Sequence, residues 1–169
     1  MNAFGPRWYA LALTFLGERE IPGREHNPKI VQWWTDIRSK IRDDETPYCA
    51  AFAGAMLERS GIVSTRSPAA RSYCNYGAKL TFPVLGCIVV FERPPHTWSG
   101  HVGFVAGEDN LGNIMTLGAN QSNAVTIAPF ARRRAIAYRW PPGETYPTGT
   151  KPLDLPVLVS TRPLSTIEA

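Results

Sequence analysis

Cysteine is scarce in this chain, three in 169 residues, and the odd number argues against a disulfide framework. No pair is spaced as CxxC, and no Cys/His cluster has the spacing of a structural zinc site. Histidine is equally rare. His96 and His101 with a cysteine would make poor metal geometry, because an i,i+5 pair spans a loop and a strand, so no metal or cofactor is assigned. Long apolar runs are missing too: nothing approaches the roughly 18 residues of a membrane span. The short stretch Trp8 to Leu16 lacks the basic region and small-residue cleavage site of a signal peptide. The expectation is a protein made in the cytoplasm, carried by something else if it acts outside. Neither sign of charge dominates: the net charge is +4, and the basic residues are scattered. The one dense run, Arg132-Arg133-Arg134, falls between two apparent strands and reads as a solvated turn, which argues against nucleic acid as a partner. A polyanionic cell envelope fits the same charge. No internal repeat is visible.

What is present is enough apolar content for one buried core and a change of periodicity along the chain. Trp8 to Gly17 reads as a first helix. Asn27 as N-cap and Pro28 at the first helical position open a second, with Ile30, Val31, Trp34, Ile37 and Ile41 near helical spacing. Thr46 and Pro47 repeat that signal for a third, running to Ser60, and Ser67-Pro68 for a short helix through Tyr73. After Gly77 the pattern turns to strands: Cys87–Phe91, His101–Ala106, Ile114–Leu117, Ala124–Ile127 and Ala135–Arg139. Helices first and an antiparallel sheet of about five strands afterwards give an α+β domain over residues 1–140. The last 29 residues, 141–169, hold 6 of the 15 prolines and little periodicity. They read as an extended tail lying along the domain or on a partner chain.

Three polar residues stand out by position. Cys49 falls about three residues into the third helix, where free backbone amides and the helix dipole favour a thiolate. His101 begins a strand between Gly100 and Gly103, which leave the imidazole room. Its task would be to take the thiol proton and return it to a leaving amine. Asn120 ends the neighbouring strand, where an amide accepts from the far ring nitrogen and sets the imidazole tautomer. Tyr48, Trp98 and Gln121 flank these and are candidates for shaping a cleft. Cys74 and Cys87 read as core, and His26 and His96 as exposed loop residues.

In order and spacing, Glu20-Ile21-Pro22-Gly23, Asn27-Pro28-Lys29-Ile30, Asp44 through Phe52, Ala70-Arg71-Ser72-Tyr73, Gly100 through Phe104 and Leu117 through Gln121 form a recognisable set. From Trp8 to Arg139 the chain resembles the CHAP and NlpC-type cysteine peptidases of the papain-like clan, small bacterial and phage proteins. The resemblance implies a papain-like fold and hydrolysis of peptidoglycan amide bonds. It makes Cys49 the nucleophile, His101 the base and Asn120 the last polar residue, and it matches Glu20 to an acidic position in relatives. The Cys49 amide would then serve as an oxyanion donor. Two departures from the pattern are Gly118, where a glutamate is frequent, and Gly86-Cys87, where relatives often have Gly-Asp. Ala119 replaces a frequent second glycine.

The function expected is therefore a peptidoglycan hydrolase, either endopeptidase or muramoyl-peptide amidase, acting at the bacterial wall as a lysin or on a particle. The alternative is an adaptor subunit of a phage tail, gene-transfer particle or secretion apparatus that retains the fold and docks through residues 141–169.

Overall fold

The computed structural model describes residues 5–146 and 155–165. Three helices precede a six-stranded antiparallel sheet, an α+β arrangement. Helix α1 (Arg7–Leu13) stops short of Gly17, because Thr14, Phe15 and Leu16 bond three residues back and tighten into turns. Helix α2 (Pro28–Asp36) starts as its sequence dictates: Asn27 Oδ1 accepts from the Lys29 amide at 2.9 Å, and Pro28 sits where a missing N–H costs nothing. It ends before Ile41 because Arg38, at φ 62°, takes the left-handed conformation.

Helix α3 (Cys49–Arg59) begins later than Thr46 and Pro47 suggest. The Thr46 amide donates to Asp43 Oδ1 at 2.7 Å, closing an Asx-type turn, and Tyr48 takes the cap position. Cys49 is thus the first helical residue rather than the third. Residues 49–57 of this helix are all buried, which is why it is rich in alanine. A Cβ at Gly54 would lie 2.5 Å from Ile37 and 3.0 Å from the Tyr73 hydroxyl, so neighbouring elements press on its backbone. Tyr73 comes from a 3-10 helix, Ala70–Asn75, in place of the short helix expected after Ser67-Pro68.

The strands are β1 (Ala78–Leu80), β2 (Ile88–Arg93), β3 (His96–Glu108), β4 (Ile114–Gly118), β5 (Thr126–Phe130) and β6 (Ala135–Trp140), in the spatial order β1-β6-β2-β3-β4-β5. The sixth strand beyond the expected five is β1, whose three residues are too few to show an alternation. Strand β3 starts at His96, not His101, because Arg93 pairs with His96 across a hairpin. Residues Ile88 to Phe91 are fully buried, as a strand covered on both faces requires. Phe91 of β2 stacks on Phe130 of β5 at 4.6 Å although β3 and β4 lie between those strands, so the sheet curls on itself.

Part of the tail expectation, residues 147–154 and 166–169, lies outside the described residues. Residues 155–165 lie on the chain's own sheet. Leu155 is buried, the Glu108 amide donates to Pro156 O at 2.9 Å, and the Leu158 amide donates to Glu108 O at 2.8 Å. The Ser165 amide reaches Pro129 O on β5 at 2.9 Å. The arginine run is not simply solvated: Arg134 donates to Glu92 O and Ser165 O, and Arg132 pairs with Glu108 at 2.7 Å. Cys87 is core, its thiol pushed up to about 12 by burial, and Cys74 is half-buried.

Candidate active site

The first helical hydrogen bond of α3 is donated by Phe52, to Tyr48 O at 2.9 Å. The amides of Cys49, Ala50 and Ala51 therefore precede the helical ladder, and the Tyr48 side chain does not cap them. The positive end of the helix dipole is concentrated at Cys49. Cys49 is 7% exposed and lines an open groove of about 570 Å³, whose opposite wall is the β2–β3 hairpin, including Ser99 and Gly100. Gly100 directly precedes His101, and α3 packs on β3. The sulfur-bearing helix start and the imidazole-bearing strand thus meet at one groove.

His101 is fully buried, and its ring stacks on Phe130 at 5.0 Å with the planes 4° apart. Its Nε2 lies 2.9 Å from Gln121 Oε1. That amide has only one orientation: its Nε2 donates to Thr126 O and Thr126 Oγ1, each at 2.9 Å, with Thr116 O at 3.3 Å. The carbonyl end must then face the ring, so His101 Nε2 carries the hydrogen and Nδ1 is the basic nitrogen.

A partner of the imidazole is Gln121, one residue beyond the expected Asn120. Strand alternation would keep Asn120 on the face of Gly118, toward the ring. Asn120 has φ 58°, and Ser122 and Asn123 are also left-handed, so the alternation breaks and Gln121 turns inward. The absence of a side chain at Gly118 has a physical reason here. A Cβ at Gly118 would lie 2.5 Å from Gln121 Oε1 and 3.2 Å from His101 Nε2. Gln121 fills the place a longer residue at 118 would occupy.

Glu20, Tyr48 and Asn120 also come together. Residues 17–20 run beside 123–125, with the Glu20 amide donating to Asn123 O at 3.2 Å and Val125 to Glu18 O at 2.7 Å. The buried Tyr48 hydroxyl faces the backbone of Glu20 and Asn120 and titrates well above the ordinary phenol range, through burial first and then the charges of Glu20 and Asp44. Glu20 is half-buried, and its carboxyl is raised by burial and by the nearby Asp44 and Glu45. Trp98 stands at the far rim of the groove, 75% exposed, its ring 5.1 Å from that of His96.

One organising residue carries no assigned role in the sequence beyond its place in the motif set. Asp44 is fully buried, accepts from the Ile21 and Asn27 amides at 2.8 Å each, and meets His26 Nδ1 at 2.9 Å. Burial pushes its carboxyl up, but these hydrogen bonds outweigh that and hold it below the usual range. It ties the loop bearing Glu20 to the turn that leads into α3. His26, expected as a simple exposed loop residue, is a partner in that tie.

Among the described residues, no three His, Cys, Asp or Glu side chains are grouped to hold a metal ion, and no helix is long and apolar enough to cross a membrane. Comparison with protein-family models, with curated proteins and with solved structures gives no match.

Proposed function

We propose that the chain is a papain-like cysteine hydrolase that cleaves amide bonds of peptidoglycan through a thioacyl enzyme. The observation that carries this reading is the meeting of a helix-start cysteine and an imidazole-bearing strand at one groove. Cys49 lines the groove together with Gly100, the residue before His101, and Gln121 Oε1 lies 2.9 Å from His101 Nε2, an acceptor that favours the tautomer with a basic Nδ1. His101 takes the Cys49 proton, and the thiolate attacks the amide carbonyl while the Cys49 amide receives the developing oxyanion. Collapse of the intermediate breaks the C–N bond, and the imidazolium gives its proton to the leaving amine. Water, deprotonated by His101, then hydrolyses the thioester and restores the thiol. The ordered motif set and the net charge of +4 support a polyanionic wall as substrate.

Cys49→Ala is expected to abolish release of muropeptides from purified walls while leaving the melting temperature within a few degrees of wild type. Retained release would end this reading. EDTA is expected to leave the rate unchanged, and mass spectrometry of the products identifies the bond.

An adaptor role has one observation of its own. Leu111, Val157 and Val159 are exposed together where the tail crosses the β3–β4 turn. Substituting Val157 and Val159 with serine would abolish assembly on a particle and spare hydrolysis if the tail serves that role.

A further inference from the structure

The groove beside Cys49 has a composition that the chemistry of amide cleavage does not require. Four of the residues lining it are prolines, Pro47, Pro68, Pro94 and Pro95. None of them has an N–H to offer a ligand. Part of the hairpin wall's backbone is already engaged: Phe91 and Glu92 pair with His101 and Gly100, Ser99 O accepts from Arg71 Nε at 2.8 Å, and Ser99 Oγ donates to Arg93 O at 3.3 Å. An extended peptide held by strand addition needs a row of open main-chain donors and acceptors. This wall supplies faces instead. Trp98 and His96 form a two-ring plate, and Trp98 is 75% exposed while Trp8, Trp33, Trp34 and Trp140 are buried. A large apolar ring held out at a cleft rim marks a contact surface. Among the described residues no acidic side chain lines the groove, and the one charged residue there is Arg93.

We infer that this groove is a saccharide subsite, in which a pyranose ring lies on the Trp98 indole with its acyl substituent directed to Cys49. The C–H groups on one face of a pyranose carry partial positive charge and meet the negative face of the indole. Ring hydroxyls reach the polar rim at His96 and Arg93. The inference rests on the hydrolase reading and narrows it: a sugar next to the nucleophile makes the scissile bond the muramoyl–peptide amide rather than one within the stem peptide.

Because Trp98 is the exposed one of five tryptophans, its emission reports on the subsite directly. The full chain carrying Cys49→Ala is titrated with N-acetylmuramoyl-L-alanyl-D-isoglutamine, with an N-acetylglucosamine tetramer and with a sugar-free stem tetrapeptide. The two saccharide probes are expected to blue-shift the long-wavelength emission, and the tetrapeptide to leave it unchanged. Adding Trp98→Ala is expected to remove the shift and weaken binding on the order of tenfold. In the otherwise wild-type enzyme, Trp98→Ala is expected to raise KM with little change in kcat. A shift with the tetrapeptide alone, or with none of the probes, overturns the saccharide subsite. If wild type still hydrolyses walls in a Cys49-dependent way, the hydrolase reading survives that failure. Saccharide binding with no Cys49-dependent hydrolysis instead sinks the enzyme and leaves a binding module.

Discussion

Gln121→Ala tests the centre of the reasoning. The substitution removes the amide from three buried groups that lie 2.9 Å from it, the His101 Nε2, the Thr126 carbonyl and the Thr126 hydroxyl, and from the Thr116 carbonyl at 3.3 Å. An abandoned buried donor or acceptor costs about 1–3 kcal/mol. Their loss together should lower stability by at least roughly 3 kcal/mol, or roughly 6–12 °C in melting temperature for a domain of this length. The larger effect is chemical. Without an acceptor at Nε2 the ring is no longer biased toward the tautomer with a basic Nδ1, and hydrolysis should fall about 10²- to 10⁴-fold. Iodoacetamide alkylation of Cys49 as a function of pH separates the two effects. In wild type, reaction should persist well below the pH at which a free thiol, pKa about 8.5, loses reactivity; in the variant the profile should move toward that value. Asn120→Gly is the control, since φ 58° suits glycine and the His101–Gln121 pair is untouched. If Gln121→Ala melts early yet keeps both its alkylation profile and its turnover, the amide is only a core group. If Asn120→Gly loses turnover instead, the tautomer argument is wrong.

Gly118→Ala puts a methyl 2.5 Å from Gln121 Oε1, so turnover should drop at least tenfold by the muropeptide assay, with a smaller change in melting than Gln121→Ala produces. Asp44→Asn removes a buried charge that receives two amides at 2.8 Å each and should cost about 2–3 kcal/mol, read from denaturant unfolding. Because the folded carboxyl titrates below its unfolded value, its contribution is complete above about pH 3.9 and is lost as pH falls through the folded value. The wild-type advantage over Asp44→Asn should therefore shrink as unfolding is followed from about pH 5 toward about pH 3; a constant gap would refute the assignment.

Local chemistry was legible in this chain, and choices between near-equal neighbours were not. Asn27 and Pro28 announce α2 because capping depends on side chains within one turn. The same signal at Thr46-Pro47 fails because Asp43, three residues upstream, captures the Thr46 amide first. Cys49 and His101 fall on the elements the sequence assigns them, a helix start and a strand. That Gln121 turns to the ring depends on a backbone handedness that alternation does not report. Asp43, Asp44 and Glu45 stand side by side, and nothing in the run says which carboxylate turns inward. Strand β1 escapes notice because three residues carry no period. The clasp of residues 155–165 on β3 and β5 depends on contacts across roughly fifty and thirty-five positions of sequence, as in Glu108 with Val157 and Pro129 with Ser165.

That clasp bears on how the protein behaves in a crowded solution. An open strand border is a template onto which other chains zip, and globular proteins blunt such borders. Here one border is β1, only three residues long, and the other, β5, carries Pro129 with its carbonyl already taken by Ser165. A product shortened after Tyr146 would bare that border and the greasy patches under Leu155 and Leu158 together. Such a fragment should scatter light and seed deposits at concentrations where the intact chain stays clear.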